Sequence, residues 1–251
     1  MKIALAQMLV EPGQKLANLS RAEQRIAEAA LRGADIVVLP EALTLGWTHP
    51  SARTLADEVP DGESCARLRG AAHQHRIFVC AGIVERAGEK IFNAAVFINP
   101  AGEVILHHRK IHELDIAHEL YALGDRLAVA ETEFGRIGSM ICADGFAPGQ
   151  SISRTLAMMG ARVILSPCAW AVPHDHDNVR EPYGQLWLDN YGPVAREFDL
   201  SIVGVSNVGP ITAGPWQGRK CIGNSLVVAR DGEIARGPYG ERAEALLIQE
   251  L

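Results

Sequence analysis

The chain has 251 residues, 48% of them hydrophobic and 22% charged, which fits a soluble globular protein long enough to bury one α/β core. A formal net charge of −6 with no basic block to offset it argues against a phosphate-backbone ligand, so no nucleic-acid partner is expected. No apolar run approaches the roughly 20 residues of a membrane helix, and the start reaches Gln7, then Glu11 and Pro12, too soon for a signal-peptide core; a cytoplasmic protein with no membrane partner is expected.

The pattern alternates strands and helices without a linker, repeat or low-complexity tract, predicting a single domain over 1–251. Residues 2–8 read as a strand. Ser20-Arg21-Ala22-Glu23 is a capping-box pattern opening a helix to Leu31, with Gly33 as its stop. Residues 34–39 are continuously apolar, suiting a strand buried on both faces. A helix over 63–76 leads into a strand over 77–84. Arg86-Ala87-Gly88-Glu89 and Pro100-Ala101-Gly102-Glu103 are turns between strand runs, so hairpins mix with crossover units. A loop-rich stretch covers 109–128. A strand over 135–141 precedes a helix over 151–159 that stops at Gly160, then a buried strand over 163–166. Residues 182–198 look helical, with Pro182 suited to a first turn. Strands are expected over 201–207, 222–229 and 245–249, with Asp231-Gly232 as a turn.

Three residues in this order attract attention. Glu41 follows Val-Val-Leu-Pro, Lys110 follows His-His-Arg, and Cys142 follows Gly-Ser-Met-Ile. Each lies at or just past the end of a strand-like run, where an α/β scaffold exposes side chains to a crevice. Taken singly, each has an ordinary explanation: a small core thiol, a strand-end carboxylate, a solvated loop lysine. Together, a thiol, a carboxylate and an ammonium would form an amide-cleaving set. The other cysteines, 65, 80, 168 and 221, form no Cys-x-x-Cys pair, so neither a zinc ribbon nor a thioredoxin-type motif is supported, and free thiols are expected. Cys65 and Cys80 read as packing residues.

Five segments in order resemble the nitrilase superfamily of carbon–nitrogen hydrolases. They are Pro40-Glu41 with Gly46-Trp47; Asn93 through Asn99-Pro100-Ala101-Gly102-Glu103-Val104 to Arg109-Lys110-Ile111-His112; Ile141-Cys142-Ala143-Asp144 with Pro148; Ser206-Asn207-Val208-Gly209; and Gly223-Asn224-Ser225. The resemblance runs over nearly the whole chain. It implies a four-layer α-β-β-α sandwich of two mixed sheets, and a homodimer or higher homo-oligomer. It also implies a mechanism that uses no metal or organic cofactor. Glu41 takes the thiol proton and later protonates the leaving amine, Cys142 attacks as thiolate, and Lys110 with the Ala143 N–H supports the oxyanion. A second glutamate follows the lysine in the family and positions substrate and water. Glu119 is preferred for it because Tyr121 and Gly124-Asp125 also resemble the family there; Glu113 is the nearer competitor.

Departures bear on substrate. Many members read C-Y-D-x-R-F-P-E at the nucleophile, whereas this chain has Cys142-Ala143-Asp144-Gly145-Phe146-Ala147-Pro148-Gly149, without the Arg and Glu. Nitrile-cleaving members typically carry C-W-E; Cys-Ala-Asp looks more like the amide and carbamoyl hydrolases. The helix before Asn207 lacks the usual arginine. Trp47 and Trp170 would form an aromatic wall for substrate, or serve as core or dimer-interface residues. His174-Asp175-His176-Asp177 reads as an exposed loop, and no metal is expected. The expected activity is hydrolysis of a linear amide or N-carbamoyl compound, releasing ammonia. The alternatives are nitrile hydrolysis, acyl transfer to an amine, and a non-catalytic or partner-dependent subunit.

Overall fold

In chain order, the computed structural model, which describes residues 1–251, runs β1 (Lys2–Gln7), α1 (Lys15–Leu31), β2 (Ile36–Val38), the one-turn α2 (Ala52–Leu55), α3 (Glu63–His75), β3 (Phe78–Ala87), β4 (Lys90–Ile98) and β5 (Val104–Arg109). It continues through β6 (Val129–Thr132), β7 (Gly135–Ser139), α4 (Ser151–Met158), β8 (Val163–Cys168), β9 (Ala171–Val172), α5 (Gln185–Phe198), β10 (Ser201–Ser206), β11 (Val208–Pro210), β12 (Lys220–Ile222), β13 (Leu226–Ala229), β14 (Gly232–Arg236) and β15 (Ala245–Glu250). Two six-stranded mixed sheets result, ordered β15-β1-β2-β3-β4-β5 and β14-β13-β10-β8-β7-β6, with a small sheet β11-β12-β9 beside them.

Side-chain size along the strands explains the layering. Successive strand residues face opposite sides. On β1, Ile3 and Leu5 pack between the sheets with Phe97, Leu165, Val203 and Val227. The intervening Ala4 and Ala6 face out, where Leu19, Ala22 and Ile26 of α1 and Leu68 of α3 cover them. Small residues under the helices allow close helix-on-sheet approach, and large branched ones fill the space between sheets. Helices α4 and α5 cover the outer face of the second sheet in the same way. The architecture is therefore the expected α-β-β-α sandwich. Cys65 and Cys80 lie in these cores, where burial pushes their thiols up to about 11 and about 12.

Three local expectations are corrected. Helix α1 starts at Lys15, not at the Ser20 capping box. Ser20 and Glu23 instead lie on its surface and bind Arg67 of α3, tying the two helices together. Helix α5 starts at Gln185 rather than Pro182, because Gly184 sits at φ 126°, outside helical space, against the Arg236 guanidinium. The strand expected over 222–229 is broken by Gly223 and Asn224, both at φ near 60°, so that β12 joins the small sheet and β13 the large one. Strands β6, β9, β11 and β14, short and weakly alternating, have no counterpart in the sequence reading. No helix is long and apolar enough to cross a membrane.

Candidate active site

The first sheet supplies the charged groups. Glu41 leaves β2 after Leu39-Pro40, and β3 passes so close that a Cβ at Gly82 would lie 2.5 Å from the Glu41 Cα. Lys110 directly follows β5, and Asn93 lies within β4. The Lys110 ammonium donates to Glu41 Oε1 at 2.8 Å and to Glu113 Oε1 at 2.9 Å. The Asn93 amide donates to the same two carboxylates, at 2.6 Å and 3.0 Å. All four side chains are buried; Glu41 is 1% and Lys110 2% exposed.

The second sheet supplies the thiol. Cys142 follows β7 and opens a short 3-10 turn at φ 43°, a left-handed conformation that a non-glycine residue keeps only when its surroundings hold it. Asp144 does the holding. Fully buried, it accepts the N–H groups of Ile141, Ile111 and His112 and a hydrogen bond from His108 Nε2. One carboxylate thus ties the Cys142 turn to the loop that carries Lys110. Burial opposes its charge, but His108 and these N–H donors hold it below the usual carboxylate range. The Ala143 N–H finds no backbone acceptor and stays available beside Cys142.

Burial pushes Glu41 above the usual carboxylate range; Lys110 and Glu113 act on it in opposite directions, and Asn93 helps the charged form. Burial also opposes the Lys110 charge, yet Glu113 and Glu41 overcome it and keep the ammonium well above its ordinary range. Burial, the Cys168 thiol and the Glu41 carboxylate push the Cys142 thiol far up, against the pull of Lys110. The thiol and the carboxyl group that line this site therefore both have raised proton affinity.

Glu41, Lys110 and Cys142 line one cavity of about 220 Å³, and the sequence-predicted Trp47, Ala143 and Trp170 line it too. Glu119 does not. Between Lys110 and Glu119 the chain makes a 3-10 turn at Asp115–Ala117, which carries Glu119 to the surface. There its carbonyl accepts from Arg53, and the residue borders a separate hollow with Thr48 and Pro50. Glu113 takes the place expected of Glu119, because three residues after Lys110 its side chain turns back onto the ammonium. The histidines and aspartates of 174–177 join no group of three or more metal-type ligands.

A carbon–nitrogen hydrolase family model matches residues 2–251. The chain belongs to the carbon–nitrogen hydrolase family. It is a hydrolase of carbon–nitrogen bonds other than peptide bonds. It is similar to a nitrilase of Pyrococcus abyssi, 32% identical over 240 residues that cover 93% of this chain and 83% of that one. It is also similar to the omega-amidase NIT2 of Xenopus tropicalis, 33% identical over 67% of this chain, though the match spans only 63% of that relative's length. Among solved structures, an amidase from Nesterenkonia sp. superposes at a TM-score of 0.83 over 100% of this chain and 90% of that one, at 22% identity. Saccharomyces cerevisiae Nit3, a nitrilase-superfamily member, gives 0.82 over 99% and 89%, at 23% identity.

Sequence reasoning missed other parts of this hydrolase's cavity. Phe146, Tyr183, Trp187 and Trp216 also form its wall. The two late motifs prove to be its scaffold. Ser206 Oγ accepts the Trp170 N–H at 2.8 Å, the Ser206 N–H donates to Ser225 Oγ, and the Asn224 amide donates to the Tyr183 carbonyl. Polar motif residues with no place in the chemistry were the available signal for such a supporting role.

Proposed function

We propose that the protein hydrolyses a linear amide or N-carbamoyl compound through a Cys142 thioester, releasing ammonia. The observation that carries this is that Glu41 and Lys110 line one apolar cavity with Cys142, while the buried Glu113 holds the Lys110 ammonium from behind. Glu41, with its raised proton affinity, accepts the thiol proton as Sγ attacks the carbonyl carbon. The oxyanion faces the Lys110 ammonium and the Ala143 N–H. Glu41 passes the proton to nitrogen, the C–N bond breaks and ammonia leaves. Water then gives a proton to Glu41 and attacks the thioester, the C–S bond breaks, and the proton returns to sulfur as the acid departs. Glu113 and Asn93 act as positioning residues that hold Lys110 and Glu41. Covalent addition of the acetamide moiety of fluoroacetamide at the active site cysteine in the E41Q mutant of the Nesterenkonia amidase is compatible with a cysteine nucleophile.

The relative named nitrilase favours a second substrate type, since a nitrile can enter the same cycle one addition earlier. Ammonia release from linear amides, N-carbamoyl compounds and nitriles, run beside Cys142→Ala, tests both. Release from amides or ureides that vanishes in the variant is expected. Equal rates in the two proteins would remove Cys142 as nucleophile, and release from nitriles alone would select the second substrate type.

A further inference from the structure

We propose that the cavity is built for an uncharged primary amide whose acyl group carries a flat aromatic ring; this rests on the amide-hydrolase reading above and narrows it. The chain has four tryptophans, and all four line this one cavity. They come from distant segments and meet in two pairs there. Trp170 stacks on Trp187 with ring centroids 4.7 Å apart, and Trp47 meets Trp216 at 4.8 Å, tilted by 57°. Indole faces favour flat π-systems in offset or tilted contact. The volume of about 220 Å³ holds roughly ten non-hydrogen atoms at ordinary packing density, the size of a single ring plus a short carboxamide arm.

Charge points the same way. Of the 14 lining residues, Glu41 and Lys110 alone are charged. The Lys110 ammonium is already engaged by Glu41 and Glu113, two carboxylates to one cation. A substrate that carries a carboxylate, such as the monoamide of a dicarboxylic acid or an N-carbamoyl amino acid, would bury that charge beside a cluster with no cation to spare. Arg219 is the nearby candidate to receive it, but it packs its guanidinium on the Trp216 ring at 4.3 Å and does not line the cavity.

The test measures kcat/KM for ammonia release from phenylacetamide, acetamide and succinamate, with wild type and Cys142→Ala. Phenylacetamide is expected to exceed succinamate by at least about 100-fold, the penalty of an unpaired buried charge. It should exceed acetamide by about 10-fold or more through ring burial. Cys142-dependent hydrolysis that favours succinamate, or treats it equally, overturns the inference and leaves the hydrolase reading standing. No Cys142-dependent ammonia from any amide overturns both. Trp216→Ala should cost phenylacetamide about 10-fold more than acetamide, and an equal loss for the two removes the aromatic seat. If that variant does not fold, Leu186→Arg serves, since Leu186 lines the cavity and is half exposed. It should raise succinamate turnover about 10-fold relative to phenylacetamide, and an unchanged ratio would overturn the charge argument.

Discussion

Asp144→Asn isolates the carboxylate that ties the two halves of the site. The wild-type side chain accepts at 2.9 Å from the Ile141 N–H, 3.1 Å from Ile111, 2.7 Å from His112 and 2.8 Å from His108 Nε2. An asparagine has one oxygen. Its best orientation keeps Ile111 and His112 and turns the NH2 toward His108 and Ile141. His108 can switch tautomer and accept, but the Ile141 N–H has no such freedom. One buried N–H is then unsatisfied and the retained bonds lose their ionic character, a net cost of about 3 kcal/mol. For a domain of this size that lowers Tm by roughly 6–12 °C. Because Ile141 precedes the left-handed Cys142, the turn also relaxes and kcat falls on the order of 100-fold. The pH sign is fixed as well. The folded-state pKa of Asp144 is lowered, so its stabilisation is present above the unfolded value and is lost as pH falls through the folded one. The wild type–variant gap in thermal unfolding should therefore be widest near neutrality and close in acid. A loss below about 1 kcal/mol with kcat within twofold would refute this role of Asp144.

Glu113→Gln removes one of the charges that raise Glu41, so the acid limb of kcat/KM should move to lower pH. Lys110 loses an anchor, and kcat should drop about 10–100-fold; an unmoved limb in a pH–rate profile counts against the coupling. Glu119→Gln, at the surface, should change kcat/KM by no more than about twofold in the same assay. Gly82→Ala places a Cβ 2.5 Å from the Glu41 Cα and 2.6 Å from the Pro40 carbonyl, backbone atoms that cannot swing aside. It should cost about 2–3 kcal/mol in chemical denaturation and displace Glu41, so activity should fall more steeply than stability.

The α/β order of the long elements was legible because long apolar runs, such as residues 34–39, and glycines at turns, such as Gly33 and Gly102, are local signals, whereas the four-layer sandwich was implied only by the family resemblance. Glu41, Lys110 and Cys142 were legible because each lies within three residues of a strand end, and because the motifs around them resemble those of the family. The choice of Glu113 over Glu119 was not, because the stretch 109–128 has no periodicity from which a side-chain direction can be read. The partner choice of Glu113 depends on the Asp115–Ala117 turn and on Gly124, whose N–H donates to the Lys110 carbonyl. Trp187 and Trp216 were hidden for a related reason. The facing of Trp187 depends on where α5 begins, and the irregular loop that carries Trp216 gives no pattern to follow.

The Glu41 carboxyl group and the sulfur of Cys142 belong to different sheets, joined near the site by the Glu41 N–H to the Cys168 carbonyl at 3.1 Å. Their separation therefore reports how the two halves of the sandwich are registered. A slight slip of one sheet over the other, across the apolar seam that Phe97 and Leu165 share, would part acid from thiol while every strand ladder remained intact. Turnover should vanish at lower guanidinium than far-UV ellipticity. Substitutions in that distant seam should show up first as slow enzyme and only later as unfolded protein.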